Sequence, residues 1–128
     1  MKKEQINEIF GNYNDLFNDA FCRNSCTIPK VNAEYDKDNI IIKTELPGVL
    51  KENISITLKD SILTIIGKKK PDTHDNYYMH EISDKTLSRS LELKFDVNKN
   101  TIQSKYIDGI LIITLSKMEK EPINIKID

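Results

Sequence analysis

The sequence predicts an all-β protein built as a two-sheet sandwich, with a short helical N-terminal arm and an extended C-terminal tail. Three observations predict it. Between residues 29 and 117 the apolar side chains recur at every second position, the period of a half-buried strand. The runs are short and separated by polar turns, among them Asp108-Gly109, a pair suited to a tight hairpin because Gly supplies positive φ without steric cost. A helical period is found only in the arm, residues 1–28.

In that arm Ile6, Ile9, Phe10, Tyr13, Leu16, Phe17, Ala20 and Phe21 follow steps of three and four, which places them on one face. Gly11 and the asparagines Asn7, Asn12 and Asn14 weaken the helix. A helix of this length is marginal alone in water, so the stripe needs a packing partner. It is read as a sticky arm that packs in an oligomer interior. The plainer alternative is a helix docked on its own domain.

The domain, residues 29–117, follows as strands. Residues 31–35 make a short one. Residues 39–46 set Ile40, Ile42, Thr44 and Leu46 on one face. Ile54, Ile56 and Leu58 alternate with Ser55, Thr57 and Lys59, and residues 62–67 return after a Lys59-Asp60-Ser61 turn. Leu87, Arg89, Leu91 and Leu93 share a face; an arginine buried there requires carboxylates or carbonyls as partners. Residues 102–106 and 110–115 complete the set.

One connection is too long. Residues 68–86 span 19 positions, whereas ordinary loops seldom exceed about 12–15. Within it Tyr77-Tyr78-Met79-His80-Glu81-Ile82 is strand-like. We read it as a strand carried to the sheet of a second chain.

The tail, residues 118–128, ends Ile123-Asn124-Ile125-Lys126-Ile127-Asp128. Each isoleucine left in water forgoes roughly 1.5–3 kcal/mol of burial. An alternating strand of this kind calls for a sheet edge, and an edge on another subunit would make the chain an assembling one.

Composition narrows the function classes. Nineteen basic residues balance 20 acidic ones, which gives no general affinity for nucleic acid or anionic membrane. No apolar run approaches the roughly 18 residues of a membrane span, and nothing near the N-terminus suggests secretion, so the expected location is cytoplasmic. Cys22 and Cys26, spaced C-x-x-x-C, read as two thiols rather than a redox or metal motif. No metal or cofactor is expected. His74 and His80 lack an evident nucleophile partner, Asp72 and Asp75 read as solvated, and no phosphate loop or nucleophile elbow occurs, so the chain is not expected to be an enzyme.

Three motifs together resemble the small heat-shock protein (α-crystallin) family. They are Leu46-Pro47-Gly48-Val49 followed by Lys51-Glu52-Asn53-Ile54, then Asp108-Gly109-Ile110-Leu111-Ile112-Ile113-Thr114-Leu115-Ser116-Lys117, then the terminal Ile-x-Ile. The match covers about residues 29–127. It implies an immunoglobulin-like sandwich and an ATP-independent chaperone that holds unfolding client proteins, contacted in part by the arm. It also implies a homodimer that exchanges the Tyr77, Tyr78, Met79, His80, Glu81 and Ile82 strand beside Arg89, and a higher homo-oligomer. Ile123, Ile125 and Ile127 then form the oligomerisation tail, in either of two registers. Their docking groove is expected between Ile54, Ile56 and Leu58 on one strand and Leu111, Ile113 and Leu115 on another, residues that serve equally well as core. Ser104 stands where the family commonly has Ala, and Lys94 and Ser116 where it has Pro; altered local stability is expected there. A structural particle or spore-coat protein, or a monomeric co-chaperone adaptor, are the other readings of the same sandwich.

Overall fold

Alternating residues become eight strands in the computed structural model, which describes residues 26–71, 76–118 and 124–128. The strands are β1 (Cys26–Thr27), β2 (Val31–Asp36), β3 (Asn39–Glu45), β4 (Ile54–Lys59), β5 (Ile62–Gly67), β6 (Thr86–Glu92), β7 (Gln103–Ile107) and β8 (Ile110–Ser116). They form two four-stranded sheets, ordered β1-β6-β5-β4 and β2-β3-β8-β7. The all-β sandwich expected from the alternation is the observed fold.

Three antiparallel hairpins, β2–β3, β4–β5 and β7–β8, supply the local contacts. Their turns require positive φ: 53° at Lys37, 50° and 65° at Asp60 and Ser61, 54° and 78° at Asp108 and Gly109. The non-glycine residues take these angles because the short turn must match the right-handed twist of its strands. Each strand then sends every second side chain inward. Ile40 and Ile42 from β3, Leu63 and Ile65 from β5, and Leu111, Ile113 and Leu115 from β8 form the buried centre. Thr44 joins them on the same face, fully buried, and its Oγ1 has no hydrogen-bond partner among the described residues. At the end of β8, Ser116 Oγ donates to Asn39 Oδ1 at 2.8 Å, so the serine adds a cross-strand link where the family's proline would not.

Two features depart from expectation. β1 lies in the stretch read as arm and pairs parallel with β6; two residues are too few to show a period. Cys26 is disulfide-bonded, not the free thiol expected. Residues 76–85 pair with no strand of their own chain, while the strand expected from Tyr77 to Ile82 belongs on the sheet of a second chain. A strand exists only against an edge, and this loop instead closes on itself. Tyr77 and His80 stack at 4.2 Å, Lys69 Nζ donates to the Ser83 carbonyl at 2.9 Å, and Tyr78, Met79 and Ile82 are exposed. Residues 1–25, with the arm stripe and Cys22, lie outside the described residues, as do Asp72, His74, Asp75 and Ile123.

Candidate docking groove

The two long sides of the sandwich differ. On one, the chain crosses from β1 to β2 through Ile28, Pro29 and Lys30, and Glu45 N donates to the Lys30 carbonyl at 3.2 Å. Arg89 sits on the inner face of β6, opposite Ile65, and is half-buried. Its guanidinium donates to the Pro29 carbonyl at 3.4 Å, so one of the carbonyl partners its burial demands is the crossover itself. That side is closed.

On the other side, β4 and β7 are the last strands of their sheets. Their inward side chains should be as buried as those of β5 and β8, but they are not. Ile54, Ile56 and Leu58 remain half-exposed, as do Tyr106 on β7 and Ile102 just before it, and Ser104 is exposed. Ser104 lies opposite Ile113 and Tyr106 opposite Leu111, so all face the interior layer. Partly exposed apolar side chains thus lie on two sheet edges, each presenting backbone groups that no described strand pairs.

Of the groove residues expected from sequence, Ile54, Ile56 and Leu58 lie on the edge strand β4, half-buried. Leu111, Ile113 and Leu115 are buried core, because β8 is an interior strand between β3 and β7. The edge strand of that sheet, a candidate lip, is β7, where the polar Gln103, Ser104 and Lys105 obscure the period-two set Ile102, Ser104 and Tyr106.

Tyr106 ties this lip to the rest of the domain. Its hydroxyl lies 2.6 Å from the Leu46 carbonyl and 2.8 Å from that of Val49. Between them is the Leu46-Pro47-Gly48-Val49 turn, with Gly48 at φ 76° and Val49 N donating to the Leu46 carbonyl at 3.3 Å. That is the type II geometry its Pro-Gly pair predicts. Leu46 N donates in turn to the Gly109 carbonyl at 2.8 Å, which fixes the turn to the β7–β8 hairpin.

At the far end the chain leaves β8 under restraint. Lys117 N donates to the Asp38 carbonyl at 3.3 Å and Met118 N to that of Asp96 at 2.8 Å. The Lys117 ammonium stands 5.8 Å from the Tyr35 ring centre and 5.6 Å from that of Phe95. Beyond this anchor Ile125 and Ile127 are 86% and 93% exposed. Among the described residues no three or more His, Cys, Asp or Glu side chains are grouped to hold a metal, and no helix is long and apolar enough to cross a membrane.

Residues 32–128 match the Hsp20/alpha crystallin family model. Small heat shock protein C4 of Rickettsia felis is 29% identical over 126 residues, covering 93% of this chain and 77% of that protein. Small heat shock protein C2 of the same organism is 30% identical over 129 residues, covering 94% and 82%. Among solved structures, heat shock protein 16.0 from Schizosaccharomyces pombe superposes with a TM-score of 0.69 at 26% identity, covering 81% of this chain and 79% of that one.

Proposed function

The chain belongs to the Hsp20/alpha crystallin family of small heat-shock chaperones, and we propose that it acts as an ATP-independent holdase in the cytoplasm, assembled as a dynamic homo-oligomer. One observation carries the proposal. Half-buried apolar side chains lie on the two end strands β4 and β7, while Ile125 and Ile127 of the same chain stand in water.

The tail of one subunit enters the groove of another, its isoleucines spaced to meet Ile54, Ile56 and Leu58. Two such side chains contribute at most roughly 3–6 kcal/mol by burial, and association costs of similar size oppose them. A single tail therefore docks and leaves. Many tails on one particle hold it together through effective concentration. Ile123/Ile125 and Ile125/Ile127 are both usable registers.

The dimer forms when the Tyr77–Ile82 segment unfolds from its own loop and adds to a neighbour. The outer edge of β2, an end strand of its sheet, is the acceptor. Arg89 steadies the crossover beside that edge through Pro29. Warming frees subunits, and the groove, together with the Phe10, Phe17 and Phe21 arm, takes up apolar segments and strand edges of unfolding clients. No bond is made or broken.

The test is a heat-aggregation assay with a thermolabile enzyme as client, without nucleotide, beside light scattering of the pure protein. Suppressed client scattering and a particle larger than a dimer are expected. A 14.8-kDa monomer that leaves client aggregation unchanged refutes the proposal.

A further inference from the structure

We propose that Lys117 is a positioning residue for the tail. Its ammonium, set between two aromatic rings, latches the chain where it leaves β8 and so fixes which neighbouring groove the tail can reach. The consequence for assembly rests on the tail-docking reading, whereas the latch itself rests on local geometry.

A charge stands where the alternation calls for an apolar residue. β8 turns Leu111, Ile113 and Leu115 inward, and Lys117 is the next position of that row. β2 turns Tyr35 toward the same side, since its pairing partner Ile40 is core and also pairs with Leu115. Beyond β6, Phe95 follows the buried Leu91 and Leu93 by the same step of two. The three rows run out at one end of the sandwich, where the Lys117 ammonium lies 5.8 Å from the Tyr35 ring centre and 5.6 Å from that of Phe95. Both fall inside the roughly 6 Å over which a ring face attracts a cation. Among the described residues Lys117 makes no ion pair, so ring faces stand where a carboxylate would. An aliphatic side chain would fill the same space by burial alone; only a cation makes the contact depend on charge.

The backbone beneath this side chain holds the start of the tail. Lys117 and Val97 form an antiparallel bridge. Asn98 N donates to the Ser116 carbonyl at 2.9 Å, Met118 N to the Asp96 carbonyl at 2.8 Å, and Lys117 N to the Asp38 carbonyl at 3.3 Å. Lys117 is thus tied to the β2–β3 turn on one side and to the β6–β7 crossover on the other. Its rings come from the same two places: Tyr35 precedes that turn and Phe95 lies in that crossover. Met118 is the last described residue whose amide is bonded to the domain. From it to Ile125 are seven residues, at most about 25 Å of extended chain. Over so short a span the angle of departure decides which groove is reachable. Releasing it spreads the tail over more directions and lowers its effective concentration at any one site.

Amide hydrogen exchange of the full-length chain, read residue by residue by electron-transfer fragmentation, reports how often the latch opens. Lys117→Met keeps the stem and removes the charge. It should speed exchange at the Met118 and Asn98 amides roughly fivefold to tenfold, the opening that two lost cation–ring contacts imply, while Ile42 and Ile113 exchange as before. Lys117→Arg should hold the original rates. Tyr35→Leu, at an exposed position outside the core, should reproduce part of the increase and make Lys117→Met less effective when the two are combined. Native mass spectra should broaden for Lys117→Met and keep their width for Lys117→Arg. Unchanged exchange in Lys117→Met, or Lys117→Arg exchanging as fast as Lys117→Met, overturns the latch. Faster exchange without broader spectra overturns its role in directing the tail. A monomeric parent protein counts against the tail-docking reading instead, and the exchange rates still decide the latch.

Discussion

Removing one oxygen atom, in Tyr106→Phe, tests how the groove is held. The hydroxyl contacts the carbonyls of Leu46 and Val49 at 2.6 and 2.8 Å. It has a single proton, so the two contacts amount to one shared donation and contribute about 1 kcal/mol net. The substitution also takes a donor from two carbonyls. Leu46 O keeps its contact with Val49 N at 3.3 Å, which limits that added penalty. The expected total is about 1–2 kcal/mol. In a domain of this size each kcal/mol lowers Tm by roughly 4–8 °C. Calorimetry of both proteins at one fixed concentration measures it, because oligomer stability depends on concentration. Loosening the turn also frees β7, so a fluorescent peptide of residues 122–128 should bind more weakly to a tail-deleted domain carrying the variant. An unchanged Tm would refute the clasp. A lower Tm with unchanged peptide affinity would show that the clasp stabilises the domain without shaping the groove.

Thr44→Val removes a buried hydroxyl without a partner among the described residues; it should raise stability by about 1 kcal/mol, read as a higher denaturant midpoint at constant m. Gly67→Ala places a Cβ 3.2 Å from Val49 Cγ2 and 3.3 Å from Leu46 Cδ2, and should cost roughly 1–3 kcal/mol by overpacking, checked by thermal unfolding. Arg89→Ala loses the donation to the Pro29 carbonyl; a larger or more polydisperse particle is expected in size-exclusion chromatography with light scattering, against an unchanged profile if the arginine is idle. Replacing Ile125 and Ile127 together by Ser should shrink the assembly to dimers, and Ile123→Ser alone distinguishes the two tail registers by native mass spectrometry.

Local chemistry made most of the sandwich legible. The period-two set in residues 39–46 put Ile40 and Ile42 inside, and Pro47-Gly48 announced its turn, because these features depend only on near neighbours in the chain. Sheet order does not. Whether β7 or β8 ends its sheet is decided by long-range pairing, so the three core residues Leu111, Ile113 and Leu115 looked like a groove wall while the polar strand beside them was passed over. β1 escaped for want of length, and the three-residue 3-10 turn Lys99–Thr101, capped by Asn98 Oδ1 accepting from Asn100 N at 3.2 Å, lies in a stretch with no apolar period at all. The loop around Tyr78 carries strand-forming residues whose pairing partner a lone chain does not supply.

The pairing of β3 with β8 also sets a schedule for synthesis. Asn39 and Ser116 meet across 77 positions of sequence. At about 5–20 residues per second, a ribosome needs several seconds to make the intervening stretch. Throughout that interval the nascent chain displays Ile40, Ile42 and the rest of a sticky hairpin to its surroundings. A protein of this family thus begins life with the vulnerability it relieves in others.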